Sequence, residues 1–312
     1  MQADLEVANM FPQTLSRSFD QLLDKSVLYT LNRRVSDSLE RTYRDSLSFA
    51  EVLAQTQVNE RKTAVYQLSA PGEHPVYLDT PTGEIRCHVR VRLTADPHAP
   101  LLLYHHGINE LPYTSSWWRI FNRTQFPVHN VCVQAPYHDS WMAPFAEGFA
   151  SLQNIYQMFA GSLRLMELVQ THFEAHGSPY TLLAGVSWGG MTSMLYEGLF
   201  QNTRAVVPML SSPDLAQVIW DIAHMFKRPI PLPLPLMKQY LDFTPIFRRC
   251  DPQKVFPVMG ENDLFFRMDN HADIFEDAGL QTIATGHITG LWQPLPLRQH
   301  LSSVLQSLGM GS

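Results

Sequence analysis

The chain has 312 residues, of which 45% are hydrophobic, and a formal net charge of -6. That length suits one large α/β domain or two small ones, with apolar content enough for a sizeable core, and it argues against disorder over most of the chain. Acids and bases are interspersed without a long run of either sign, which excludes the electrostatic footprint of a nucleic-acid-binding protein.

Met1 to Glu6 include two acids where a secretory signal would carry a basic stretch, and no apolar run approaches the roughly 18 residues of a membrane span. The expected location is the cytoplasm. Cys87, Cys132 and Cys250 are odd in number and scattered, which fits neither a disulfide framework nor zinc spacing, so all three are read as reduced packing residues.

From about Leu15 to Gln57 apolar residues recur at three- and four-residue steps (Phe19, Leu22, Leu23, Val27, Leu28, Leu31) among many charges. Residues 1–60 are therefore expected to form a helical extension covering one edge or face of a main domain at 61–312; a partner surface is the other reading. Between Val65 and Leu93 the period changes to two, and the Thr80 to Gly83 turn separates Val76-Tyr77-Leu78 from Ile85 to Leu93, which predicts a β-hairpin.

Short, nearly continuous apolar runs follow at Leu101 to Tyr104, Val131 to Gln134, Tyr180 to Ala184, Ala205 to Leu210 and Val255 to Met259, with helical stretches between them, notably Phe149 to His172 and Met191 to Phe200. Strands alternating with helices predict an α/β fold with a mostly parallel, doubly wound sheet and a ligand site beyond the carboxyl ends of its strands. Pro213 to Cys250 interrupts this alternation. Its segment Pro229 to Pro235 alternates proline with large apolar residues, which predicts a stiff extended crossing inside a small cap.

Gly185-Val186-Ser187-Trp188-Gly189 places a serine between a buried strand and a helical stretch, with small residues two before and two after it. At such a turn the hydroxyl projects above the sheet edge, and the helix N-terminus lies beside any anion that forms there. Downstream, Gly260-Glu261-Asn262-Asp263 follows an apolar strand and Gly286-His287 follows the short run Thr282 to Ala284.

Serine, acid and histidine in this order resemble the α/β-hydrolase superfamily, over about residues 75 to 308. The resemblance implies Ser187 as nucleophile, His287 as general base and Asp263 as the acid that orients it. Asp214 is the alternative acid, one strand earlier, and His300 the weaker alternative base. Leu101 to Asn109 resembles the family's strand and His-Gly-x loop, which implies an oxyanion hole from the backbone N–H groups of Ile108 and Trp188, with Asn109 replacing Ile108 if the register differs.

The implied reaction is hydrolysis of a carboxylic ester through an acyl-enzyme, with a small acyl substrate whose acyl or alcohol part the apolar insertion suggests to be apolar, no cofactor and no metal. A peptidase, amidase or acyltransferase would use the same groups. A silent α/β-hydrolase-fold binding protein is the non-enzymatic alternative, and oligomeric state is left open. His105-His106 and His138-Asp139 invite a metal reading, but adjacent residues at a strand end point in different directions and no further ligand spacing supports a site. Ala135 to Trp141 reads either as a pocket-mouth segment or as an ordinary aromatic-rich loop. Leu232, Leu234, Leu236 and Met237, with Trp141 and Phe243, are candidates for an apolar substrate wall or a packed connection.

Overall fold

Strand β4 (Leu101–His105) shows why its sequence is apolar without alternation: Leu101 and Leu103 pack into one hydrophobic cluster, Leu102 and Tyr104 into another on the opposite face of the sheet. A strand covered on both sides is apolar at most positions rather than at alternate ones. The computed structural model describes residues 13–35, 46–121, 126–228 and 232–310.

The chain opens with α1 (Gln13–Val35) and α2 (Phe49–Gln55), whose Ser48 and Glu51 form a capping box. Next come β1 (Gln57–Val58), β2 (Gly72–Thr80) and β3 (Gly83–Arg92); the last two pair from Gly72↔Val91 to Thr80↔Gly83. After β4 follow α3 (Ser115–Phe121), β5 (His129–Val133), α4 (Leu152–Ala175), β6 (Thr181–Val186), α5 (Trp188–Phe200) and β7 (Ala205–Met209). The interrupting segment holds α6 (Leu215–Met225), α7 (Leu234–Leu241) and α8 (Thr244–Phe247). β8 (Val258–Gly260), α9 (Met268–His271), β9 (Gln281–Ile283), α10 (His287–Trp292) and α11 (Leu295–Ser307) complete the order.

The nine strands form one mixed sheet in the order β1-β2-β3-β5-β4-β6-β7-β8-β9. Pairing is antiparallel from β1 to β5 and parallel from there to β9. α4 and α5 cover one face with Ile155, Met158, Phe159, Met191 and Leu195; α3 and α11 cover the other with Trp117, Phe121, Leu297 and Leu301. β5 and β6 lie on opposite sides of β4, so the winding reverses there and leaves a crevice at the carboxyl ends of β4 and β6. Among the described residues no helix is long and apolar enough to cross a membrane, and all three cysteines are buried and unpaired.

Three expectations need correction. The proline run does not stay extended: Pro229, Ile230 and Pro231 lie outside the described residues, but Pro233 caps α7 and Pro235 sits in its first turn, where a missing N–H costs nothing. Val255 only bridges Val206, and the ladder begins at Val258. In the N-terminal extension, α1 turns only part of its apolar series inward, Leu28 and Val27 among it. Asp20, Asp24 and Leu28 are buried at four-residue spacing, whereas Phe19 and Leu22 are 53% and 61% exposed. Residues 36–45 of that extension lie outside the described residues, and Gln57–Val58 joins the main sheet as β1.

Candidate active site

β6 delivers Ser187 to the crevice in a turn that close backbone contacts define. Ser187 has φ 55 and ψ -120, positive for a residue with a side chain. A Cβ at Gly185 would collide with the Gly189 backbone, and one at Gly189 with the carbonyl of His105, so strand, helix and β4 approach as closely as they do only because those positions lack one. The Ser187 N–H donates to the Met209 carbonyl (2.9 Å), and the Ser211 hydroxyl donates to the Ser187 carbonyl (2.6 Å). Beside the serine, the Trp188 indole stacks on Phe159 at 3.9 Å between ring centroids.

Asp263 follows β8 and His287 follows β9, so both loops reach the same end of the sheet. The Asp263 carboxylate accepts the Phe265 and Phe266 N–H groups on Oδ1 (2.7 and 3.0 Å) and His287 Nδ1 on Oδ2 (2.8 Å). That bond fixes the proton on Nδ1 and leaves the Nε2 lone pair to face Ser187 Oγ at 3.0 Å. Phe265 stacks on the imidazole at 4.2 Å. Burial opposes charge on the ring, but the Asp263 carboxylate and its hydrogen bond, with Asp24 and Glu110 adding negative potential, hold the His287 pKa above its ordinary value.

The alternatives are engaged elsewhere. Asp214 caps α6 through Gln217 N–H (3.0 Å) and pairs with Lys238 Nζ at 2.8 Å; His300, on α11, bonds the Phe256 carbonyl.

After β4, the Gly107 N–H donates to Glu110 Oε1 (2.7 Å) and the Asn109 N–H to His138 Nε2 (3.1 Å). Among the described residues this leaves the Ile108 N–H as the donor of that tripeptide without a protein acceptor. The Gly107 loop lies against the serine: a Cβ at Gly107 would sit 3.5 Å from Ser187 Cβ. Glu110 also accepts the Ser116 N–H and hydroxyl (2.7 and 2.8 Å), tying the loop to α3. Its burial pushes the carboxyl up to about 7, against the pull of those bonds.

His106 and His138 are hydrogen-bonded to backbone. His106 accepts the Ala135 N–H on Nε2 and bonds the Gly107 carbonyl through Nδ1; His138 accepts from Asn109 and bonds the Pro136 carbonyl. Burial holds His105 near 3 and His138 near 4, so both rings are neutral; His106 and His138 crosslink the β4 and β5 loops, while His105 bonds the neighbouring His106 carbonyl through Nδ1. Among the described residues no group of three or more His, Cys, Asp or Glu side chains could hold a metal ion. Within Ala135 to Trp141, His138 is buried and Trp141 is 66% exposed.

Four residues at the site carried no motif: Glu110, Phe265, Asp20 and Asp24. Glu110 sits three residues past Gly107 and Phe265 two past Asp263, within reach of a reading that asks what holds each loop. For Asp20 and Asp24 the signal was two acids one helical turn apart, in line with Leu28, which reads as a solvated face.

No family model matches this chain, and a search of curated proteins also found no match. Among solved structures, acetyl xylan esterase 1 from Thermoanaerobacterium sp. JW/SL YS485 is similar at 13% identity and TM-score 0.50, over 88% of this chain and 97% of that one. Est1E from Butyrivibrio proteoclasticus gives 14% and 0.49 over 75% and 99%, and the hyperthermophilic esterase from Pyrobaculum calidifontis 14% and 0.47 over 79% and 90%. At these identities the likeness is one of fold. With the nine-stranded sheet and the strand-serine-helix turn, the likeness to the acetyl xylan esterase gives this chain the α/β-hydrolase fold.

Proposed function

We propose that the protein is a serine hydrolase that cleaves carboxylic esters through an acyl-enzyme on Ser187. The observation that carries this reading is the buried chain Ser187 Oγ, His287 Nε2, His287 Nδ1, Asp263 Oδ2, with links of 3.0 and 2.8 Å. As the hydroxyl attacks the acyl carbon, its proton passes to His287 Nε2 and the imidazolium is stabilised by Asp263. The carbonyl oxygen becomes an anion facing the N–H groups of Ile108 and Trp188, each contributing about 2.7–4 kcal/mol to lowering the barrier. Collapse returns the proton to the leaving alcohol; water, deprotonated by the same ring, then releases the acid.

An apolar acyl part suits the surroundings. Phe243 of the cap packs edge-on against Phe159, which stacks on Trp188 next to the nucleophile. Leu232 and Met237 are buried in the same cluster. The reading is tested with p-nitrophenyl esters of increasing acyl length. Steady turnover that is lost in Ser187→Ala supports it; equal turnover by both proteins contradicts it.

A further inference from the structure

We infer that α1 belongs to the acid–base machinery, with Asp24 as a positioning residue that fixes His287 and Asp263 relative to each other and supplies a second negative charge to the imidazole. This rests on reading Ser187, His287 and Asp263 as a triad.

The carboxylate of Asp24 is fully buried and reaches both loops. Oδ2 accepts the N–H of Leu264, next to the acid, and the N–H of His287 itself, each at 3.0 Å; Oδ1 accepts the Ile288 N–H at 2.9 Å. One helical turn earlier, Asp20 repeats the span with side-chain donors: Asn262 Nδ2 at 2.9 Å and the Thr289 hydroxyl at 2.7 Å. Two residues flanking the acid and three at or after the base are thus held by a single helix. Buried carboxylates persist only with such donors, so these two acids mark a joint rather than a solvated face.

The opposing loop is shaped to receive the helix. A Cβ at Gly286 would sit 2.9 Å from Asp20 Cβ and 3.2 Å from Asp24 Oδ2, so the residue before the base must be glycine for α1 to approach. Contact between α1 and α10 continues beyond it.

Charge gives the joint a second role. Among the described residues no lysine or arginine pairs with Asp20 or Asp24. Burial, then the nearby Asp263, hold the Asp24 pKa above its ordinary value, while His287 and the backbone donors pull it down. The positive charge that would relieve Asp24 arises at His287 when the ring takes the Ser187 proton. Interactions that strengthen only then accelerate the chemical step. The negative groups acting on His287 are Asp263, Asp24 and Glu110, and removing one of them should lower the midpoint at which the ring titrates.

The test compares full-length wild type, Asp24→Asn and Asp20→Asn by their rate of labelling with a fluorophosphonate and by NMR titration of the His287 imidazole. Asp24→Asn keeps one acceptor oxygen and loses the charge. It should label about 10- to 100-fold more slowly, the range expected of small displacements at a reacting centre, with its His287 midpoint moved to lower pH. A purely structural contact would lower the melting temperature without moving that midpoint. Wild-type labelling with an unmoved midpoint would overturn the proposal. Asp20→Asn should show a smaller slowing and carries the test if Asp24→Asn does not fold; a wild-type rate in that variant would then overturn it. If wild type itself takes no probe, the hydrolase reading fails on its own, and the midpoint decides the joint: a drop in Asp24→Asn retains it, no change removes it.

Discussion

On the Ser187 side of the Ser187–His287 hydrogen bond, position is set by the backbone of neighbouring elements: Gly185 against Gly189, Gly189 against the end of β4, Ser187 against β7. On the side of His287 and Asp263, β8 and β9 are three residues each, and their loops are joined to α1 by five hydrogen bonds spanning some 240 to 269 positions. The first arrangement is local and stiff because close-packed backbone has nowhere to relax. The second lets the histidine follow a strand of three residues while long-range carboxylates hold it in position.

The sharpest way to break this comparison is at the acid. Asp263→Asn should cost about 10,000-fold in kcat while leaving the serine turn intact, because an amide in place of the carboxylate favours the wrong imidazole tautomer. Wild-type kcat in that variant would remove Asp263 from the proposed mechanism. Next in size is Glu110→Ala, which frees the Gly107 N–H and the loop that presents Ile108. A fall of about 100-fold in kcat with little change in KM is expected, since the lost alignment matters most when the oxyanion forms; a change confined to KM would speak for a binding role instead.

Acidity separates activity from stability. Because the His287 pKa is raised, the neutral base is lost as pH falls through a value above 6.5, and kcat/KM should fall with it; an acid-limb midpoint below 6.5 would contradict the assignment. For stability, the lowered His105, His106 and His138 bind protons in the unfolded chain near 6.5 but resist them when folded, so stability declines as pH drops from 6.5 towards 4. His287 and Glu110 act oppositely: their raised folded pKa values give stability at low pH that is lost as pH rises, for His287 through its folded value and for Glu110 between 4.5 and about 7. Six lowered rings (His105, His106, His138, His172, His271 and His300) stand against three raised groups (His287, Glu110 and Asp24), and melting temperature should drop between pH 6.5 and 5. A constant melting temperature would mean those rings are not held neutral.

The smallest effect belongs to Asp214→Ala. It removes the α6 cap, a loss of about 1–2 kcal/mol in stability, and should leave kcat within a few-fold of wild type. A collapse of activity there would return Asp214 to the role of orienting acid.

What the sequence disclosed follows the same division. Gly185 to Gly189 could be read because strand, turn and helix are consecutive, and the runs beginning at Leu101 and Tyr180 because burial on both faces favours apolar residues at nearly every position. The joint at Asp24 could not, since its partners lie more than 200 residues away and nothing local distinguishes a buried aspartate from a solvated one. Phe19 and Leu22 compounded this by placing apolar residues on the outward face of α1. The end of the proline run was misjudged for a simpler reason: a proline that forbids the interior of a helix is well suited to its first turn.

Intact-mass spectrometry after exposure to a fluorophosphonate, with wild type and Ser187→Ala side by side, tests the central claim most directly. A single adduct is expected on wild type and none on the variant. No adduct on folded wild type, or an equal adduct on both, would contradict an activated Ser187.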